Sequence, residues 1–114
     1  MKAIKINSET MSIEVMDVEN SLQGIYQAVS TSNVNVTCID RFYIGNHVCY
    51  VDDEGLFNPH HRGFRFGGHT ILGNGIIFNT LNPDGVQDGE DYPALDDLLI
   101  ELYEKVEFGK LKYR

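Results

Sequence analysis

The chain has 114 residues, 42% hydrophobic and 23% charged, with 17 Asp and Glu against 9 Lys and Arg and a formal charge of −8. That length specifies one domain, spanning residues 1–114, with one modest core, and no apolar run approaches the roughly 20 residues that a membrane helix needs. An acidic balance opposes direct binding to nucleic acid or anionic lipid; the plainer reading is solubility, and it also fits binding to a basic protein surface.

The start at Met1 lacks a basic region followed by an apolar stretch, so no signal peptide is expected. The elements follow from pattern. KAIKI (2–6) and SIEVMDV (12–18) alternate apolar and polar residues and predict two strands joined by the turn residues of NSETM. In ENSLQGIYQAVS, Leu22, Ile25, Tyr26 and Val29 fall on one helical face, with Asn20 or Ser21 as the capping acceptor. Gly24 weakens that helix by about 1 kcal/mol relative to alanine, so packing must hold it.

VNVTCIDRFYIGNHVCYVDDEG predicts a β-hairpin about a two-residue turn at Gly45-Asn46, which pairs Phe42 with Cys49. One face carries Val34, Val36, Cys38, Phe42, Ile44, Cys49 and Val51 and is the expected core face. The other carries Ile39, Tyr43, Val48 and Tyr50. It is too apolar for plain solvent, and predicts a covering helix, a partner or a second copy, so a homodimer stays open. Cys38 is not opposite Cys49 in this register, so no disulfide is expected. Both read as buried small hydrophobes in a cytosolic chain.

HTILGNGIIFNTL reads as one strand with a glycine-rich bulge, with a hairpin at Asn74-Gly75 as the alternative. NPDGVQDGEDYP predicts a loop, and YPALDDLLIELYEKV a helix with Pro93 at its start and Gly109 beyond its end. The inward stripe of that helix is Leu95, Leu98, Leu99, Leu102, Tyr103 and Val106. KLKYR reads as a short strand or a tail. The fold class is α+β: a mostly antiparallel sheet of about five strands with two helices packed on one face.

Charge is segregated along the chain. Between Glu54 and Asp84 there is no acid, and only Arg62 and Arg65 carry formal charge. From Asp84 to Glu104 there are eight acids and no Lys or Arg. Two candidate sites result. In HHRGFRFGGH, His60, His61, Arg62, Arg65 and His69 form a candidate anion or ligand site. The arginines supply forked donors there, and Gly67 and Gly68 let backbone amides approach. The plainer expectation is that the arginines pair with the carboxylates at 84–104 and the phenylalanines fill the core. Asp84, Asp88, Glu90, Asp91, Asp96, Asp97, Glu101 and Glu104 form a candidate protein interface.

Other chemistry has little support. Adjacent His60 and His61 would point to opposite faces of a strand, and no helical histidine pair exists, so no metal is expected. The oxygen-rich loop at 82–91 lacks EF-hand spacing. There is no G-x-S-x-G elbow, P-loop or dinucleotide fingerprint, so no catalytic residue is assigned and no cofactor is expected.

The opening MKAIKINSETMSIEVMDVENSLQGIYQAV, then YVDDEG, the asparagine of FNPH and TILGNGIIF, together resemble a small-protein family of bacteriophages, plasmids and mobile elements catalogued only as a domain of unknown function. The resemblance covers most of the chain in order. The chain departs from that family in its acidic loop at 82–92 and its doubled histidine. The resemblance implies an accessory protein of the bacterial host cytoplasm and carries over no catalytic residues. By analogy with small acidic phage inhibitors of restriction and CRISPR defences, the first expectation is a chain that binds and inhibits a bacterial host protein bearing a basic surface. The alternatives are a nucleotide-binding sponge for a defence signal and, third, a phosphohydrolase, both using HHRGFRFGGH.

Overall fold

Two hydrophobic faces on the same strands organise the molecule. The fold is a computed structural model that describes residues 2–19, 21–32, 34–44, 47–55, 58–60, 62–78 and 94–110, with side chains in the last segment described from Leu98 to Gly109. Its elements are β1 (Lys2–Asn7), β2 (Ser12–Asp17), α1 (Leu22–Val29), β3 (Ile39–Ile44), β4 (His47–Asp52), β5 (Arg62–Phe66), β6 (His69–Leu72), β7 (Gly75–Phe78), α2 (Ala94–Lys105) and β8 (Glu107–Lys110). Five strands form one sheet in the order β2-β1-β7-β4-β3 and three form another in the order β6-β5-β8. Every pairing is antiparallel. The class is α+β, with the expected five-stranded sheet and a second, smaller one.

The first two strands and the first helix lie where alternation and capping put them. Ser21 caps α1, its hydroxyl accepting from the Gly24 amide at 3.0 Å. Neighbours on a strand point to opposite faces, and here both faces are apolar. Ile4, Ile6 and Ile77 pack with Cys49, Val51, Phe64, Phe66, Leu98 and Leu102. Ala3, Ile76 and Phe78 pack with Ala28, Val29, Val34 and Val36. So α1 covers one face of the five-stranded sheet, while α2 and the three-stranded sheet cover the other. The helices are therefore divided between two faces, not gathered on one. The cause is that β7 at the centre of the sheet is apolar on both sides: Ile76 and Ile77 are both fully buried, and each side needs its own cover.

The β3–β4 register is as predicted, with Phe42 opposite Cys49; the turn at Gly45-Asn46 lies outside the described residues. The strand, however, begins at Ile39. Val34 and Val36 precede it and pack in the α1 cluster, opposite the face of Cys49. Cys38 is exposed and free, while Cys49 is buried and free. The second apolar face of the hairpin is partly covered: Ile39 and Tyr50 pack into the α1 cluster and Val48 is buried, while Tyr43 stays 53% exposed.

The segment read as one bulged strand is two strands in different sheets. β6 pairs with β5, whereas β7 pairs with β1 and β4. The chain bends between them at Gly73, whose φ is 90°, so it is neither a continuous strand nor a hairpin at Asn74-Gly75. Gly67 and Gly68, at φ 55° and 83°, are the positive-φ pair of a two-residue hairpin turn joining β5 to β6. Gly109 lies in β8, paired with Gly63, and is not the end of a helix. Beyond Lys110, the KLKYR tail lies outside the described residues.

Candidate interaction surface

The HHRGFRFGGH residues diverge. On β5, Arg62 and Arg65 are an odd number of residues apart and so take opposite faces. Arg62 is half-buried and its guanidinium donates to Met11 Sδ at 3.4 Å. Arg65 is exposed and, among the described residues, forms no ion pair. His69 is exposed and stacks on Phe42, with ring centroids 4.2 Å apart and planes at 21°. Phe64 and Phe66 fill the core. His61 lies outside the described residues. Alternation sends these groups to different environments, and no common anion pocket joins them among the described residues.

His60 turns inward instead, and this was the largest feature the sequence reading missed. Only 2% exposed, its Nε2 lies 2.8 Å from Asp52 Oδ2, so the carboxylate fixes the proton on that nitrogen. Asp52 also accepts from Asn58 Nδ2 at 2.7 Å and from the Glu54 amide at 2.9 Å. The imidazole Nδ1 is 3.5 Å from Thr31 Oγ1. Alongside, buried Asn74 accepts from the Ser8 amide at 2.8 Å and donates to the Ser30 carbonyl at 3.3 Å. Hydroxyl, imidazole and carboxylate stand in the order used for nucleophilic catalysis. The Thr31 distance is at the outer limit of hydrogen bonding, and the ring is closed off from solvent. The network fastens the ends of β1, α1 and β4 to the bend between the sheets. Its sequence signal was an Asp in a turn segment followed eight positions later by a histidine, which a turn reading absorbs.

At the network's rim the Ser32 hydroxyl and amide both donate to the Glu9 carboxylate. The hydroxyl bond is the chief cause holding that carboxyl below its ordinary range.

The acidic interface residues fall in two groups. Asp84, Asp88, Glu90 and Asp91 lie outside the described residues, and Asp96 and Asp97 are α2 positions whose side chains are likewise outside them. Glu101 and Glu104 are described. Glu101 pairs with Lys105 at 3.1 Å on the surface, and Glu104 is exposed. Beside them the helix keeps Ile100 59% exposed and Tyr103 62% exposed. Tyr103 was expected to point inward. Its ring stays in solvent while its hydroxyl donates to the Ile13 carbonyl of β2 at 3.0 Å. On β2, Val15 lies on the same face as buried Ile13 yet is 47% exposed, with Asp17 next on that face and also exposed. The α2–β2 side thus carries the Tyr103 ring, with the half-exposed Val15 and the exposed Asp17 on β2. Ile100 falls off the apolar stripe of the helix, which is the signal that pattern reading could have used.

Among the described residues, no group of three or more His, Cys, Asp and Glu is placed to hold a metal ion, and no helix is long and apolar enough to cross a membrane. No protein-family model, curated protein or solved structure matches this chain.

Proposed function

We propose that the chain is a non-catalytic interaction protein that binds and blocks a bacterial host protein through a basic surface, of the kind that handles nucleic acid. The observation carrying this reading is the exposure of Ile100 and Tyr103 on an acidic helix, with Tyr103 bonded to the β2 strand that also exposes Val15. Large aromatics and aliphatics left in water and rimmed by charge are the composition of a binding patch. The formal charge of −8 selects a cationic partner and repels nucleic acid itself. The resemblance to the phage and plasmid family sets the expected compartment, a bacterial cytoplasm.

The test is affinity capture from bacterial lysate at low salt, using the chain and two variants. One is Ile100→Ser with Tyr103→Ser; the other neutralises Asp88, Glu90, Asp91, Asp96 and Asp97 to their amides. A true partner is retained by the native chain and weakened by about tenfold or more in the first variant, as for a central hot spot. In the second it is weakened and loses its salt dependence. Equal capture by all three proteins removes the reading.

A further inference from the structure

One cavity brings together His69 and Glu101, which belong to different candidate sites. It is a cleft of about 270 Å³ between β3, the β5–β6 turn and α2, lined by Phe42, Tyr43, Phe66, His69, Glu101 and Lys105 among others. We propose that this cleft takes the guanidinium of an arginine side chain. The inference rests on the interaction reading for the source of the arginine, a basic partner protein, but its chemistry is testable alone.

Three of them, Phe42, Phe66 and His69, are aromatic residues on the α2 side. Phe42 and His69 are already stacked on each other, which fixes one wall. Ring faces carry negative quadrupole density and attract cations, arginine more often than lysine. Glu101 supplies a carboxylate. Its present partner, Lys105 at 3.1 Å, is a contact between two solvent-facing side chains on one helix, and such pairs add little stability. A planar guanidinium offers a carboxylate two parallel hydrogen bonds where an ammonium offers a point contact, and it stacks on aromatic faces as an ammonium does not. A chain of formal charge −8 favours a cation over the nucleotide anion that the sequence suggested for His69. A purely apolar occupant would leave Glu101 without a role.

The test is an NMR titration of the full chain with three blocked amino acids: N-acetyl-arginine amide, N-acetyl-lysine amide and N-acetyl-norleucine amide. The expected result is saturable shifts of the His69 and Phe42 ring protons with arginine in the millimolar range, weaker shifts with lysine and none with norleucine. Glu101→Gln, nearly isosteric and at the surface, should abolish the arginine response while leaving the melting temperature unchanged. Lys105→Ala, which removes the competing cation, should strengthen it. Equal shifts from norleucine and arginine, or an undiminished arginine response in Glu101→Gln, overturn the proposal. Absence of any arginine response overturns it too, and does so without touching the α2–β2 patch. Conversely, equal capture by the native chain and both patch variants, with the arginine response intact, removes the patch and leaves the cleft.

Discussion

Gly24 shows how one position can reverse a propensity rule. In an exposed helix, Gly→Ala gains about 1 kcal/mol. Here a Cβ would run into the Glu19 carbonyl and lie 2.9 Å from the Glu19 side chain, so the chain entering α1 occupies that space. Gly24→Ala is expected to lower stability by roughly 1–3 kcal/mol, as overpacking does. Gln23→Ala, exposed on the same helix, should leave stability equal or slightly higher. Thermal unfolding of both checks this, and a more stable Gly24→Ala would show that the helix entry yields. The cysteines divide the same way. Cys38 is exposed but donates to Asp53 Oδ2 at 3.5 Å, and that bond is the chief cause raising its pKa. Desolvation raises that of buried Cys49. A raised thiol pKa means less thiolate at neutral pH, and the thiolate is the reacting form. One thiol should therefore alkylate in the native state, slowly, and faster in Asp53→Asn. Cys49 should react only after unfolding. Native labelling of both, read by mass spectrometry, would contradict the burial of Cys49.

Among the elements, the bend between the two sheets carries the most stored dependence. Gly73 sits at φ 90° with the His60 ring so close that a Cβ would lie 2.7 Å from Cε1, and His60 is held there by Asp52. His60→Ala removes one of the three hydrogen bonds of a buried carboxylate and should cost roughly 1–3 kcal/mol in denaturant unfolding. Gly73→Ala should also destabilise, but less in a His60→Ala background, because the steric part of its cost is then gone. Strict additivity in that double-mutant cycle would mean that the ring does not set the bend. These dependencies explain what was legible. Strands β1 and β2, helix α1 and the Phe42–Cys49 register rest on alternation, a serine cap and the pairing of two neighbouring strands, all local. The sheet switch after Leu72 rests on a side chain thirteen positions back in the chain packing against a glycine, which no local period encodes. The β5–β6 hairpin did have a local signal, Gly67-Gly68 between alternating segments, but its arginines and histidines drew a site reading instead. In α2, period alone put Tyr103 inward. The structure turns it out because its hydroxyl reaches the Ile13 carbonyl at the sheet edge.

For the whole molecule, charge and apolar exposure should govern different steps of association. Carboxylates spread over a surface act at a distance of about one Debye length, roughly 8 Å at physiological salt, so they steer encounter and raise the association rate. Side chains such as Ile100 and Tyr103, exposed in the free chain, act only once desolvated against the partner, and so set how long the complex lasts. Surface plasmon resonance with the captured partner should separate the two. Neutralising Asp88, Glu90, Asp91, Asp96 and Asp97 removes five of the 17 acids. That change should slow association and flatten its dependence on salt, with dissociation little altered. Tyr103→Ser should leave the association rate and its salt dependence in place and speed dissociation by about tenfold, the effect of losing one hot-spot side chain. Dissociation that accelerates equally in both variants would mean that the acids are buried contacts, not a steering field. Association independent of salt in the native chain would mean that the partner surface is not basic.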